Sequence, residues 1–259
     1  MFGSRRLLVA VLYFIVLSGF LLAIPCMGFD DISADDFAKL CAEGAPQQVE
    51  TAINDGADVN KKDSIHKKAP LEWAAEAGGA EVVSLLIKAG ADIKVKDFDG
   101  LTLLMRAALN KFNPEVISVL IEAGADVNAE DFEGRTALMW GLDGEAELKI
   151  ISMLIEAGAD VSARDYGRYT PLMQAVQKDD MDVISMLIKA GAYVNARNNA
   201  GVTPLMFAVV LNPNPEEAVS MLLEAGADPN IKDNNGNTAR DYAVEYEKKE
   251  IVTILDDLR

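Results

Sequence analysis

The side chains with chemical potential in this chain are mostly carboxylates, and they recur. Asp58, Asp92, Asp126, Asp160 and Asp228 each follow a Gly-Ala pair. A carboxylate pair suits general acid–base work, but a residue returning at a fixed period answers to the period. Asp in a turn bonds local backbone N–H groups, and that accounts for the series. Asp233-Asn234-Asn235-Gly236-Asn237 has the look of a calcium loop, but its ligand spacing is wrong and it lacks the twelfth-position Glu. His66 is the single histidine, so a two-histidine mechanism or metal site is excluded, and it reads as an exposed polar residue. Cys26 and Cys41 are the two cysteines, too few for a zinc cluster. The glycines are not grouped as a phosphate-binding loop. The chain is therefore expected not to be an enzyme, with no cofactor and no metal.

Two rows of large side chains carry a different kind of chemistry. Phe98, Phe132 and Tyr166 occupy the same register in successive segments, with Ile65 before them and Asn199 and Asn234 after. A second row contains Trp73, Arg106, Trp140, Gln174, Phe207 and Tyr242. Trp, Tyr and Arg are enriched at protein-binding hot spots. Each row is a candidate protein-binding surface, and packing between adjacent segments is the alternative reading.

The elements that position these rows are repeats. Gly56-Ala57-Asp58 returns at Gly90, Gly124, Gly158, Gly191 (as Gly-Ala-Tyr) and Gly226, at spacings of 34, 34, 34, 33 and 35 residues. Thr170-Pro171-Leu172-Met173 keeps step with Thr203-Pro204-Leu205-Met206. Weaker copies begin at Ala69, Thr102, Thr136 and Thr238. Thr170 fits a helix N-cap and Pro171 the first helical position. A second helix is predicted from about Met181 to Ala190. Gly191 then ends it in the left-handed conformation that glycine tolerates. A lone helix pair cannot bury both apolar faces, so stacking must complete the core.

In its period, its Thr-Pro-Leu helix start and its Gly-Ala-Asp-Val-Asn helix end, the sequence resembles the ankyrin-repeat family over roughly residues 31–258. The resemblance implies an all-α repeat solenoid of stacked helix pairs with projecting hairpins and a concave groove. Partners of the family meet the hairpin tips and the groove. It places Phe98, Phe132 and Tyr166 at tips, and the row containing Trp73, Arg106, Trp140, Gln174 and Phe207 on the groove side. Where the family usually has His after Thr-Pro-Leu, this chain has Met105, Met139, Met173 and Met206, read as core residues. Extra residues fall near Phe112-Asn113-Pro114, Asp143-Gly144-Glu145 and Asn212-Pro213-Asn214-Pro215. Residues 29–259 make about seven units of about 33 residues, including polar caps at both ends.

Residues 1–28 read as a signal peptide or membrane anchor. Arg5 and Arg6 precede an apolar run from Leu7 to Ile24, and Pro25 ends it. Basic flanks stay cytoplasmic. Cleavage near Gly28, retention of residues 7–24 as an anchor, and lipidation at Cys26 all remain open. The net charge of -17 excludes phosphate-backbone and anionic-lipid binding as main activities and suits a basic protein partner. The expected protein is a monomeric, non-catalytic interaction scaffold of bacterial type, exported to the periplasm or outside the cell. The alternatives are a secreted effector binding another organism's proteins, and a regulatory or protective partner of an envelope enzyme.

Overall fold

The computed structural model describes residues 32–110, 113–144, 146–212 and 215–257. They form seven helix pairs in chain order. These are α1 (Ala34–Glu43) with α2 (Pro46–Asn54), α3 (Pro70–Glu76) with α4 (Ala80–Lys88), and α5 (Leu103–Leu109) with α6 (Pro114–Glu122). Next come α7 (Ala137–Asp143) with α8 (Leu148–Glu156), and α9 (Pro171–Gln177) with α10 (Met181–Lys189). The last are α11 (Pro204–Leu211) with α12 (Glu216–Glu224), and α13 (Ala239–Glu245) with α14 (Lys249–Asp256). Among the described residues β-structure is limited to one isolated bridge between Lys96 and Thr102.

Local chemistry sets these boundaries. The hydroxyls of Thr102, Thr170, Thr203 and Thr238 each accept a hydrogen bond from the backbone N–H three residues on. That satisfies a donor the helix start would otherwise orphan. The reciprocal half of the cap varies. Glu72 and Asp241 accept from the N–H of Ala69 and Thr238 at 2.7 and 2.8 Å. The sulfurs of Met105 and Met206 do the same for Thr102 and Thr203 at 3.4 and 3.5 Å. The second helices of the first six pairs, α2 to α12, each close on a left-handed glycine. At Gly158, with φ +90°, the N–H bonds Ile155 O, and the next N–H, of Ala159, bonds Leu154 O, both at 3.0 Å. This double closure uses carbonyls the helix end leaves free.

The first helices of the pairs pack on one another in one layer and the second helices in another. Between the layers a continuous apolar core runs from Phe37 to Leu255. Met105 and Met206 are buried in it, and Met139 and Met173 are buried as well. At the first end, Asp35, Asp36, Lys39 and Glu43 are exposed; at the last, Glu247, Lys249, Glu250, Asp256 and Asp257 are. Polar outer faces are what an array needs where stacking stops.

Neighbouring pairs are also clamped through the Asn of the Gly-Ala-Asp-x-Asn segment. Asn60, Asn128 and Asn195 donate to Gly90 O, Gly158 O and Gly226 O at 2.9–3.0 Å. Their amide oxygens accept from the N–H of Asp92, Asp160 and Asp228 at 2.7–2.8 Å. In the fourth repeat Ser162 keeps one bond, to the Tyr193 N–H at 3.1 Å. In the second repeat Lys94 stands at this position, and among the described residues its side chain makes no such bridge.

The anchored alternative at residues 7–24 is corrected. A bilayer needs about 20 apolar residues in one helix, whereas the longest helix among the described residues is α1 with 10. Among the described residues no helix is long and apolar enough to cross a membrane. Residues 1–31, with the segment itself, the expected cleavage region and Cys26, lie outside the described residues, as do Phe112, Glu145, Pro213 and Asn214.

Candidate protein-interaction surface

Between consecutive pairs the chain projects as a hairpin organised around one side chain. Asp63, Asp97, Asp131, Asp165, Asn198 and Asp233 hold equivalent places. The Asp131 Oδ1 accepts from the N–H of Glu133 and Arg135 at 2.7 and 2.8 Å. Asp97, Asn198 and Asp233 repeat the pattern at 2.8–3.0 Å. An Asx side chain bonding backbone ahead of it is what fixes such a turn.

The other carboxylate oxygen reaches the groove row. Trp73 Nε1 donates to Asp63 Oδ2 at 3.2 Å and Trp140 Nε1 to Asp131 Oδ2 at 2.9 Å. Arg106 Nε donates to Asp97 Oδ2 at 2.6 Å, and the Tyr242 hydroxyl donates to Asp233 Oδ2 at 2.5 Å. Phe207 has no donor, and its hairpin carries neutral Asn198. Gln174 donates to Asp143 Oδ1 at 3.3 Å, and its buried Oε1 has no partner among the described residues. Donor and carboxylate thus match in four of the six hairpins, since a buried indole N–H or carboxylate left alone is costly; Asp165, nine residues before Gln174, accepts from the Tyr169 N–H instead.

These bonds show in the acidities. Burial alone would raise the Asp131 carboxyl. The Arg135 and Glu133 N–H groups, the Trp140 indole and the Arg135 charge outweigh it and hold the carboxyl below its usual range. Asp63 and Asp233 are lowered in the same way, burial being overcome by backbone N–H groups with Trp73 and Tyr242 respectively. Asp143 is raised by burial, with Lys178 and Arg135 opposing. Since the Asp233 carboxylate is taken up by Asn235, Asn237 and Tyr242, it is committed to the hairpin rather than to an ion. Among the described residues no group of His, Cys, Asp or Glu is arranged to hold a metal.

In the groove row Trp73, Arg106, Trp140 and Phe207 are half-buried, and Gln174 is buried. The Arg135 guanidinium lies 3.7 Å over the Trp140 ring, and His66 meets the Trp73 ring edge-on at 5.0 Å. The Phe207 ring lies 5.6 Å from Tyr169. Each ring is thereby held in one orientation while keeping an exposed portion.

The tip row stands out further. Phe98 is 91% exposed, Tyr166 71% and Phe132 66%. The three are not equivalent. A Cβ built on Gly100 would fall 2.9 Å from the Phe132 ring, and one on Gly134 2.9 Å from the Tyr166 ring. Those two rings lie across the glycine of the preceding hairpin. Packing between adjacent segments, the alternative reading of this row, thus applies to Phe132 and Tyr166. Asn199 and Asn234 continue the row differently, donating from their amides to Tyr166 O and Asn199 O at 2.9 Å.

Sequence reading missed the hairpin Asp set and the Asn60, Asn128 and Asn195 clamps. A signal for the first existed. Asp97 and Arg106, Asp131 and Trp140, and Asp233 and Tyr242 are each nine residues apart. Asp63 and Trp73 are ten apart because the first hairpin is longer.

A two-layer helical solenoid with a row of exposed rings and no metal centre among its described residues defines a repeat-built binding module. A model of the family described as ankyrin repeats (three copies) matches residues 71–165 and 172–257. The chain belongs to the ankyrin-repeat family and, as such, is a non-catalytic protein–protein interaction module. Among solved structures it is similar to the ankyrin-repeat domain of Bcl-3, described as a unique member of the IkappaB protein family. The TM-score is 0.73 at 26% identity, over 82% of this chain and 94% of that one. No curated protein matches. These likenesses bear on fold and family, not on a bacterial source or on export.

Proposed function

We propose that the chain captures a protein ligand lying across repeats two to five. Phe98, Phe132 and Tyr166 would anchor it at the tips. Trp73, Arg106, Trp140 and Phe207 would line its groove side, with Gln174 supporting them from below. The observation that carries this reading is the exposed tip row, because soluble surfaces seldom leave large rings aligned and open without a binding role. The groove row adds rings fixed in advance by hydrogen bonds, which lowers the ordering cost of binding. Basic ligand residues belong over the third hairpin, where Asp126 and Glu130 are exposed.

The test is a peptide-display selection on the full chain, with the enriched ligands then measured against variants. Phe98→Ser combined with Tyr166→Ser should cut binding at least tenfold, about 1.4 kcal/mol. Far-UV circular dichroism checks the fold of each variant. Ligands that bind both proteins equally would rule this surface out.

A further inference from the structure

The net charge of the chain is -17, yet its first hairpin is basic. Lys61, Lys62, Lys67 and Lys68 lie within eight residues, with Asp63 as the one acid among them. A cleft of about 170 Å³ opens between the first and second hairpins, lined by Lys62, Lys67, Lys68, Lys96 and Arg106, with Phe98 in its wall. Two of these cations are neutralised. Arg106 pairs with Asp97, and Lys68 with Glu76 at 2.6 Å. The other three have no ion pair, the Lys67 charge acting only through space on the exposed Asp35 carboxylate. Lys96 donates to a neutral backbone carbonyl, that of Glu130, at 2.7 Å. Lys62 and Lys67 have no hydrogen bond or ion pair among the described residues, and both are exposed. Asp63 and Glu72 offer them little, since their carboxylates serve the backbone and the Trp73 indole.

Lys67 adds a second, independent observation. Its φ is +58°, in the left-handed region, where the second, third, fifth and sixth hairpins carry Gly100, Gly134, Gly201 and Gly236 and the fourth carries Arg168, at +60°. A side chain at such a position is disfavoured by the clash between Cβ and carbonyl. Lys67 shares this strain with Arg168 and stands in addition at the mouth of a cleft beside Lys62 and Lys96.

We propose that the first two hairpins dock an acidic segment of the partner protein. Its carboxylates would meet Lys62, Lys67 and Lys96, and an apolar side chain would lie against Phe98. The aromatic wall favours a peptide over a small anion, because a bare phosphate gains nothing from it. This rests on the protein-capture reading above and gives the ligand a direction: acidic end on repeats one and two, basic residues over the third hairpin. The local field, rather than net charge, then sets the partner's sign at this end.

The experiment measures binding of three short fluorescent peptides to the full chain by anisotropy. They share their leucines and differ in carrying glutamates, glutamines or lysines. The glutamate peptide should bind best and weaken as salt rises. Lys62→Gln with Lys96→Gln should lower its affinity about tenfold, and Lys67→Gly, which leaves the backbone at ease, should lower it alone. Equal binding of the glutamine or lysine peptide, or displacement by inorganic phosphate at millimolar levels, would overturn the proposal. So would unchanged affinity in the lysine variants. If these fail while display-selected ligands still depend on Phe98 and Tyr166, the charge inference falls and the capture surface stands.

Discussion

The matching of hairpin residue to groove residue can be tested at Asp131 and Trp140. In Asp131→Asn the amide oxygen can still serve the Glu133 and Arg135 N–H groups, as Asn198 serves Ala200 and Val202 at 2.9 and 3.0 Å. The amide nitrogen would then face two donors, Trp140 Nε1 and Arg135 Nε, where the carboxylate now accepts both at 2.9 and 3.1 Å. Hydrogen bonds to a charged group contribute about 1.5–3 kcal/mol each. Desolvation of the buried carboxylate is recovered in part, so the substitution should cost about 2–4 kcal/mol. Trp140→Phe removes one of the two donors and some ring area, at about 1.5–3 kcal/mol. The double variant recreates the pairing of Asn198 with Phe207, in which no indole faces an amide nitrogen. It should therefore be less destabilised than the sum of the singles by about 1–2 kcal/mol. Urea unfolding followed by far-UV circular dichroism measures all four proteins without relying on indole fluorescence. Additivity to within about 0.5 kcal/mol would refute the argument that the carboxylate and the indole are one unit.

Relief of the left-handed backbone in Lys67→Gly gains about 1–2 kcal/mol and loses up to about 1 kcal/mol in unfolded-chain entropy. A rise in melting temperature of a few degrees, alongside weaker binding of the acidic peptide, is the expected pair of results; a fall would contradict the strain argument. Cys41 is buried, and burial pushes its thiol up to about 12. In the full chain a thiol reagent should therefore label it only after urea unfolding, as peptide mapping would show; prompt labelling in native buffer would count against its burial. The lowered Asp63, Asp131 and Asp233 favour the folded state while ionised. Their contribution is complete above the unfolded carboxyl range near pH 4 and is lost as pH falls through the folded values. Stability measured against pH should be flat across neutrality with respect to these groups, and Asp131→Asn should flatten part of the acid limb.

The helix boundaries were legible because each is written in a single residue type at a fixed offset. Thr170 and Pro171 open α9, and Gly191 closes α10, so local chemistry alone placed them. The placing of Phe98 at a tip came from the resemblance to the ankyrin-repeat family. The pairing of Asp131 with Trp140 was not local, because it joins a turn to the next helix and depends on which carboxylate oxygen the backbone leaves free. The packing of Phe132 over Gly100 was hidden for a different reason: it crosses from one hairpin to the next, about a full repeat away in sequence. Lys67 reads as one more surface lysine until its backbone conformation is known.

The Asn clamps have a mechanical consequence. In a solenoid pulled by its two ends, the seams between repeats bear the load in series, and the weakest yields first. Among the seams joining the six Gly-Ala turns, those behind Asn60, Asn128 and Asn195 are each tied by a pair of hydrogen bonds and the one behind Ser162 by a single bond, whereas the one behind Lys94 lacks that tie. Under tension the first six repeats should part between the second and third, dividing the basic cleft, with Lys62, Lys67 and Lys68 on the short arm and Arg106, Phe132 and Tyr166 on the long one. A ligand spanning both arms would act as a splint across that seam, so the force needed to open it would report whether the ligand is seated.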